Sequence, residues 1–178
     1  DSFRDQSFMQ FMAHSLEESH LPRALVAFEI EYEFCRSQPQ FLLELATRLE
    51  QAGAGLVIDN FTLSDTSPEL LLLPGLRLVK VDPRVTNELP GNRASQARVA
   101  AIAQMARVAG VHVVAKRIEQ AGEQALLQAL GVDFIQGYAA SAPAPLSGFD
   151  AERVQRLIVD PALGSDNELH EQALAATG

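Results

Sequence analysis

Five short apolar runs, at 25–30, 55–61, 76–82, 111–115 and 134–138, recur along this chain, with helical patterns and short connections between them. That alternation constrains the fold more than any other feature. Parallel strands cannot be joined by a tight turn; they need a crossover of a dozen or more residues, usually a helix, and strand-helix-strand repeats supply one. Runs such as Leu25-Val26-Ala27-Phe28-Glu29-Ile30 are apolar at consecutive positions, as strands covered on both faces are. The chain is predicted to be α/β.

The connecting segments carry helical periodicity and glycine stops. A helix is predicted over Gln38 to Gly53, with Leu42, Leu43, Leu45, Ala46 and Leu49 on one face and Gly53 ending it. A short helix or turn over Leu70 to Leu73 closes at Pro74-Gly75. An Ala-rich helix runs from Ser95 to Ala109 and ends at Gly110, and another runs from Gln120 to Leu130 and ends at Gly131. The chain opens directly into an amphipathic pattern, apolar at 3, 8, 11 and 12, without an initiator Met, so a piece of a longer protein is expected. After Ser147, Phe149, Val154, Leu157 and Ile158 make a short amphipathic helix before Pro161, and 164–178 is expected to be a frayed tail.

Five such strands suit either an open doubly wound sheet or part of a (β/α)8 barrel, whose full form takes about 250 residues. Polar residues favour the barrel. Glu29, Asp59, Asn60, Lys80, Asp82, Lys116 and Gln136 fall at or near the C-terminal ends of separate strands, where barrel enzymes place their chemistry. No glycine-rich phosphate loop follows the first strand, which counts against a dinucleotide-binding sheet.

Composition excludes some classes. The formal charge of −9 over 178 residues disfavours a nucleic-acid polymer as partner, because phosphate-backbone binding is driven by clustered Lys and Arg. No apolar run reaches the roughly 18 residues of a membrane span, so direct insertion by this segment is not expected; a cytoplasmic location is, with a larger, anchored parent compatible with it. Cys35 is the lone cysteine and reads as a small hydrophobe at a strand end. His14, His20, His112 and His170 lack metal-ligand spacing and read as surface or packing residues.

The order of motifs resembles the EAL family of cyclic-di-GMP phosphodiesterases over residues 1–146. The segments that carry this are Phe28-Glu29-Ile30, Val57-Ile58-Asp59-Asn60-Phe61, and Leu73-Pro74-Gly75-Leu76-Arg77-Leu78-Val79-Lys80-Val81-Asp82. Val113-Val114-Ala115-Lys116-Arg117-Ile118-Glu119 and Gly131-Val132-Asp133-Phe134-Ile135-Gln136-Gly137-Tyr138 follow in the same order. The resemblance implies a (β/α)8 TIM-like barrel of EAL type, with residues 1–146 forming its C-terminal part and 147–178 a C-terminal helix and flexible tail. It also implies two-metal hydrolysis with Mg²⁺ or Mn²⁺. Glu29 is then a metal ligand, Asp59 the first aspartate ligand, Lys80 the group near the attacking water and Gln136 a positioning residue.

Two of the resembling positions depart from the family pattern. Asn60 stands where a second aspartate ligand belongs, and Lys116 where a glutamate ligand belongs. An Asn keeps an oxygen donor but brings no charge. A lysine reverses the sign, and one unit-charge pair at about 4 Å is worth about 4 kcal/mol at an effective dielectric near 20. Lys116 is therefore expected to pair with Asp59 or Glu29 in place of a cation. The family's glycine-rich loop is replaced by Thr62-Leu63-Ser64-Asp65-Thr66-Ser67, and the glutamate that steadies it by Tyr32. Asp82 and Glu119 read as loop or helix-start residues.

These readings lead to a degenerate EAL domain that works as a non-hydrolysing cyclic-di-GMP receptor or signalling interaction module, with Asp59, Asn60, Lys80, Lys116 and Gln136 toward the ligand. Glu29, Asp59, Lys80 and Gln136 are then vestigial catalytic groups, and no metal is expected. A partner signalling protein and a homodimer follow from the resemblance. The alternatives are a weakly active phosphodiesterase that keeps Mg²⁺ or Mn²⁺, and a protein-interaction scaffold without nucleotide binding.

Overall fold

The computed structural model describes residues 22–86, 89–118 and 121–137, with the isolated positions 11, 14, 15 and 18. The predicted segments at 2–10 and 147–178, and Glu119, His20, Tyr138 and His170, lie outside the described residues. Five strands, β1 (Ala27–Glu31), β2 (Gly55–Phe61), β3 (Leu76–Val81), β4 (His112–Lys116) and β5 (Phe134–Gln136), form one sheet in the order β1-β2-β3-β4-β5. All four pairings are parallel.

A doubly wound sheet reverses its strand order at a switch point, where crossovers pass to the opposite face. Here the order never reverses. Right-handed crossovers then lay the longer helices along one side, and the sheet forms a sector of a (β/α)8-type barrel. The core lies on the helix side. Ile30, Leu56, Ile58, Val79, Val81, Val113 and Ala115 pack there against Leu42, Leu45, Ala46 and Leu49 and against Val99, Ile102 and Ala106. Each large aliphatic side chain contributes roughly 1.5–3 kcal/mol by leaving water. Side chains alternate across a strand, so Glu29, Val57, Leu78, Lys80, Val114 and Lys116 lie on the opposite, inner face.

The helices are α1 (Tyr32–Ser37), α2 (Pro39–Gln51), α3 (Ser67–Leu71), the single turn α4 (Pro83–Thr86), α5 (Arg93–Ala109) and α6 (Ala121–Ala129). Helix α2 starts on Pro39, whose missing N–H is harmless in a first turn, and is followed by Gly53 at φ 77°. Helix α5 begins two residues earlier than predicted because the Asn92 side chain accepts from the N–H groups of Ala94 and Ser95, both at 3.1 Å. It ends at Gly110, φ 74°.

Two expectations are corrected, and one helix was not anticipated. Leu43 is 51% exposed and leaves the buried face of α2; the stripe is 42, 45, 46 and 49, and residue 43 stands about 100° away from 42 around the helix. Helix α1 was not predicted, because Tyr-Glu-Phe-Cys-Arg-Ser is too short for a periodic signal. Cys35 therefore sits in that helix, not at a strand end, and burial pushes its thiol up to about 12, which makes it inert.

Strand β2 carries the irregularity that shapes the site. Ile58 pairs with Val79 and Phe61 with Val81, so two residues, Asp59 and Asn60, stand opposite Lys80 alone. Asn60 takes φ 53°, the left-handed region that Asn tolerates better than most side chains. This bulge interrupts the alternation of faces just where the strand reaches the barrel mouth.

Candidate functional site at the barrel mouth

The upper ends of the parallel strands bring five of the predicted residues, Glu29, Asp59, Asn60, Lys80 and Lys116, into two linked clusters. In one, Lys80 donates to Glu29 Oε2. In the other, Lys116 Nζ donates to Asp59 Oδ1 and, at 2.8 Å, to Asn60 Oδ1. The bulge makes this double contact possible, since on a regular strand Asp59 and Asn60 would point to opposite faces. The Asn60 amide is fully used: its nitrogen donates to both carboxylate oxygens of Glu31, at 3.1 and 2.9 Å.

The pair between Asp59 and Lys116 is the more sheltered, with side chains 15% and 16% exposed against 43% and 21% for Glu29 and Lys80. Burial works against an ionised Asp59. The hydrogen bond from Lys116, the Asn60 N–H and the charges of Lys116 and Lys80 outweigh it and hold the carboxyl below the usual carboxylate range. Gln136 pairs in register with Lys116 across β4 and β5, but its side chain makes no hydrogen bond to the described residues. Of the predicted set, it alone stays outside the clusters.

Asp82 is buried and begins α4. Its Oδ1 accepts from the Arg84 N–H at 2.8 Å, and the Arg84 guanidinium forks onto both oxygens, with Nε at 3.1 and 2.9 Å. The hydrogen bond from Arg84 lowers the Asp82 pKa against a smaller opposing effect of burial. That matches the expectation of a helix-start residue. His112 lies 3.8 Å from Asp133, with its ring 5.4 Å from that of Phe134, on the exposed surface at the opposite end of β4.

Tyr32 has a role that sequence comparison alone misses. Its ring is buried edge-on against Phe61 at 5.2 Å, and its hydroxyl donates to Ser64 Oγ at 2.5 Å and lies 3.2 Å from Ser67 Oγ. Ser67 in turn donates to the Thr62 carbonyl at 2.9 Å and accepts from the Ser64 N–H at 2.8 Å. The loop after β2, which lacks glycine, is therefore tied down by hydroxyls. Glu31 and Arg84 were also unforeseen. Period-two spacing from Glu29 would have revealed Glu31 on the same face, whereas nothing local marks Arg84.

Asn60 and its partner Glu31 also border an open cleft of about 310 Å³, lined further by Tyr32, Glu33, Asp82, Pro83, Arg84 and Arg117. Arg117 adopts φ 58°, a left-handed backbone that costs a non-glycine residue about 1 kcal/mol or more.

A sector whose upper rim gathers acids and bases from successive parallel strands has the form of a (β/α)8-type barrel domain with its polar groups at the C-terminal face. The profile of the EAL domain family matches residues 1–143, and the chain belongs to that family. It is 29% identical over 134 residues to the cyclic di-GMP phosphodiesterase RocR of Pseudomonas aeruginosa, covering 75% of this chain and 34% of RocR. The chain thus spans about a third of that relative.

Among solved structures, the Pseudomonas aeruginosa FimX EAL domain bound to c-di-GMP superposes with a TM-score of 0.74 at 19% identity, over 84% of this chain and 62% of that one. Klebsiella pneumoniae BlrP1 in its manganese and cyclic-di-GMP complex gives 0.71 at 24% identity, over 80% and 36%. At these identities the likeness speaks for the fold, a TIM-type barrel. Among the described residues, no helix is long and apolar enough to cross a membrane.

Proposed function

We propose that this chain belongs to a degenerate EAL domain that binds cyclic-di-GMP without cleaving it and acts as a receptor or interaction module toward a partner signalling protein. The observation that carries the reading is the Lys116 ammonium seated between Asp59 and Asn60. The resemblance places metal ligands at Glu29, Asp59, position 60 and position 116. As they stand, these donors do not fit a divalent ion. Both retained carboxylates are engaged by lysines, position 60 is uncharged, and position 116 is itself a cation. Among the described residues, no cluster of three acidic, histidine or cysteine side chains is placed to hold a metal.

Charge matching supports binding without metal. Glu29, Asp59 and Asp82 each face a basic side chain, so a dianionic ligand does not need two divalent ions to quench bare carboxylates before it approaches. The bound cyclic-di-GMP of the FimX and BlrP1 structures supplies the ligand class.

The decisive experiment is a cyclic-di-GMP hydrolysis assay on the full-length protein with Mg²⁺ and with Mn²⁺, paired with calorimetry in the presence of a chelator. No turnover and a clear binding heat are expected. Turnover that Glu29→Ala abolishes would overturn the reading in favour of a weak phosphodiesterase. Absence of binding heat would leave a protein-interaction scaffold.

A further inference from the structure

We propose that Arg117 is a ligand-binding residue of the cleft, donating its guanidinium to a phosphodiester oxygen of the cyclic dinucleotide. The inference rests on the receptor reading above and adds to it a contact at a position to which the resemblance assigns no role.

The other charges that line the cleft are already engaged. Glu31 holds the Asn60 amide through both oxygens, Glu33 accepts from Arg36 at 3.4 Å, and Asp82 is gripped by Arg84. Lys80 and Lys116 are turned to Glu29 and Asp59. Arg117 lines the same cleft and makes no hydrogen bond or ion pair to any described residue. Its guanidinium can therefore meet an incoming anion without first breaking a pair with any described residue.

A planar fork of donors matches two oxygens of a phosphodiester, and such charge-assisted bonds are stronger than neutral ones. The backbone adds a second observation. Arg117 follows β4 at φ 58°, where glycine would sit without strain, so the chain holds a large cation at a place that disfavours one. Strain of that kind is retained at ligand clamps more often than elsewhere.

The test is calorimetry of the full-length protein with cyclic-di-GMP, comparing wild type, Arg117→Gly, Arg117→Lys and Arg98→Ala. Arg98 is an exposed arginine on α5 and serves as the control for loss of net charge. Arg117→Gly is chosen because it relieves the backbone and should melt no lower than wild type. The expected result is a Kd weakened roughly tenfold to a hundredfold for Arg117→Gly, an intermediate value for Arg117→Lys, and no change for Arg98→Ala. Added salt should narrow the gap between wild type and Arg117→Gly.

Equal affinity of Arg117→Gly and wild type would overturn this inference while leaving the receptor reading intact. An equal loss in Arg98→Ala would overturn it too, by showing a general charge effect. No binding by wild type would overturn both.

Discussion

The two ends of the parallel strands treat their cations differently. At the lower ends, Arg77 on β3 crosses beneath its neighbours and donates to main-chain carbonyls of Ala24, Val26 and Gly53, passing so close to Gly55 that a Cβ there would overlap the arginine side chain. At the upper ends, Lys80 and Lys116 donate to the side-chain carboxylates of Glu29 and Asp59. A carbonyl belongs to the backbone and is present whatever the sequence. A carboxylate at a strand tip must be chosen. The lower contact therefore ties the sheet together, while the upper ones occupy positions where EAL phosphodiesterases are expected to hold metal.

Breaking the upper pair should have the larger effect on stability. Lys116→Ala leaves Asp59 sheltered and unpaired, and removing one partner of a buried ion pair typically costs 3–5 kcal/mol; about 3 kcal/mol is expected here, read from urea denaturation. If Mg²⁺ or Mn²⁺ then restores the lost stability, the metal-ligand character of the remaining acids survives beneath the lysine.

Removing the lower clamp tests the other half of the contrast. Arg77→Ala should destabilise by about 2 kcal/mol through loss of charged bonds to carbonyls, and should leave the Kd for cyclic-di-GMP unchanged. A changed Kd would show that the two ends are coupled.

The smallest effect is expected from acid. Asp59 is held below its ordinary value of 3.8, so its share of stability is fully present above that value. It is lost as the pH falls from about 4 through the lowered value. Asp59→Asn should flatten this part of the acid-denaturation curve, and an unchanged curve would mean that the pair contributes nothing to stability.

Much of this was legible in the residues. Consecutive apolar runs and glycine stops marked all five strands and the long helices, because buried parallel strands and αL helix ends leave local signals. Lys116 pairing with Asp59 was one of two expected partners, since a cation among carboxylates must find one.

The rest depends on geometry that no local pattern encodes. The extra residue in β2 becomes visible only against β3, so the joint grip of Asp59 and Asn60 on Lys116 could not be foreseen. Lys80 meets Glu29 from two strands away, a pairing that no spacing in the sequence encodes. Tyr32 read as the loss of a loop-steadying acid, yet the chain supplies a hydroxyl network in its place, which lies in the fold and not in the spacing.

The bulge at Asp59 and Asn60 has a wider consequence. Two consecutive residues already face the same opening there, and neither belongs to the aliphatic packing that supports the wall behind. Their chemistry can be rewritten, acid to amide, without disturbing the architecture. A change of this kind alters what the mouth can hold while the scaffold stays as it was.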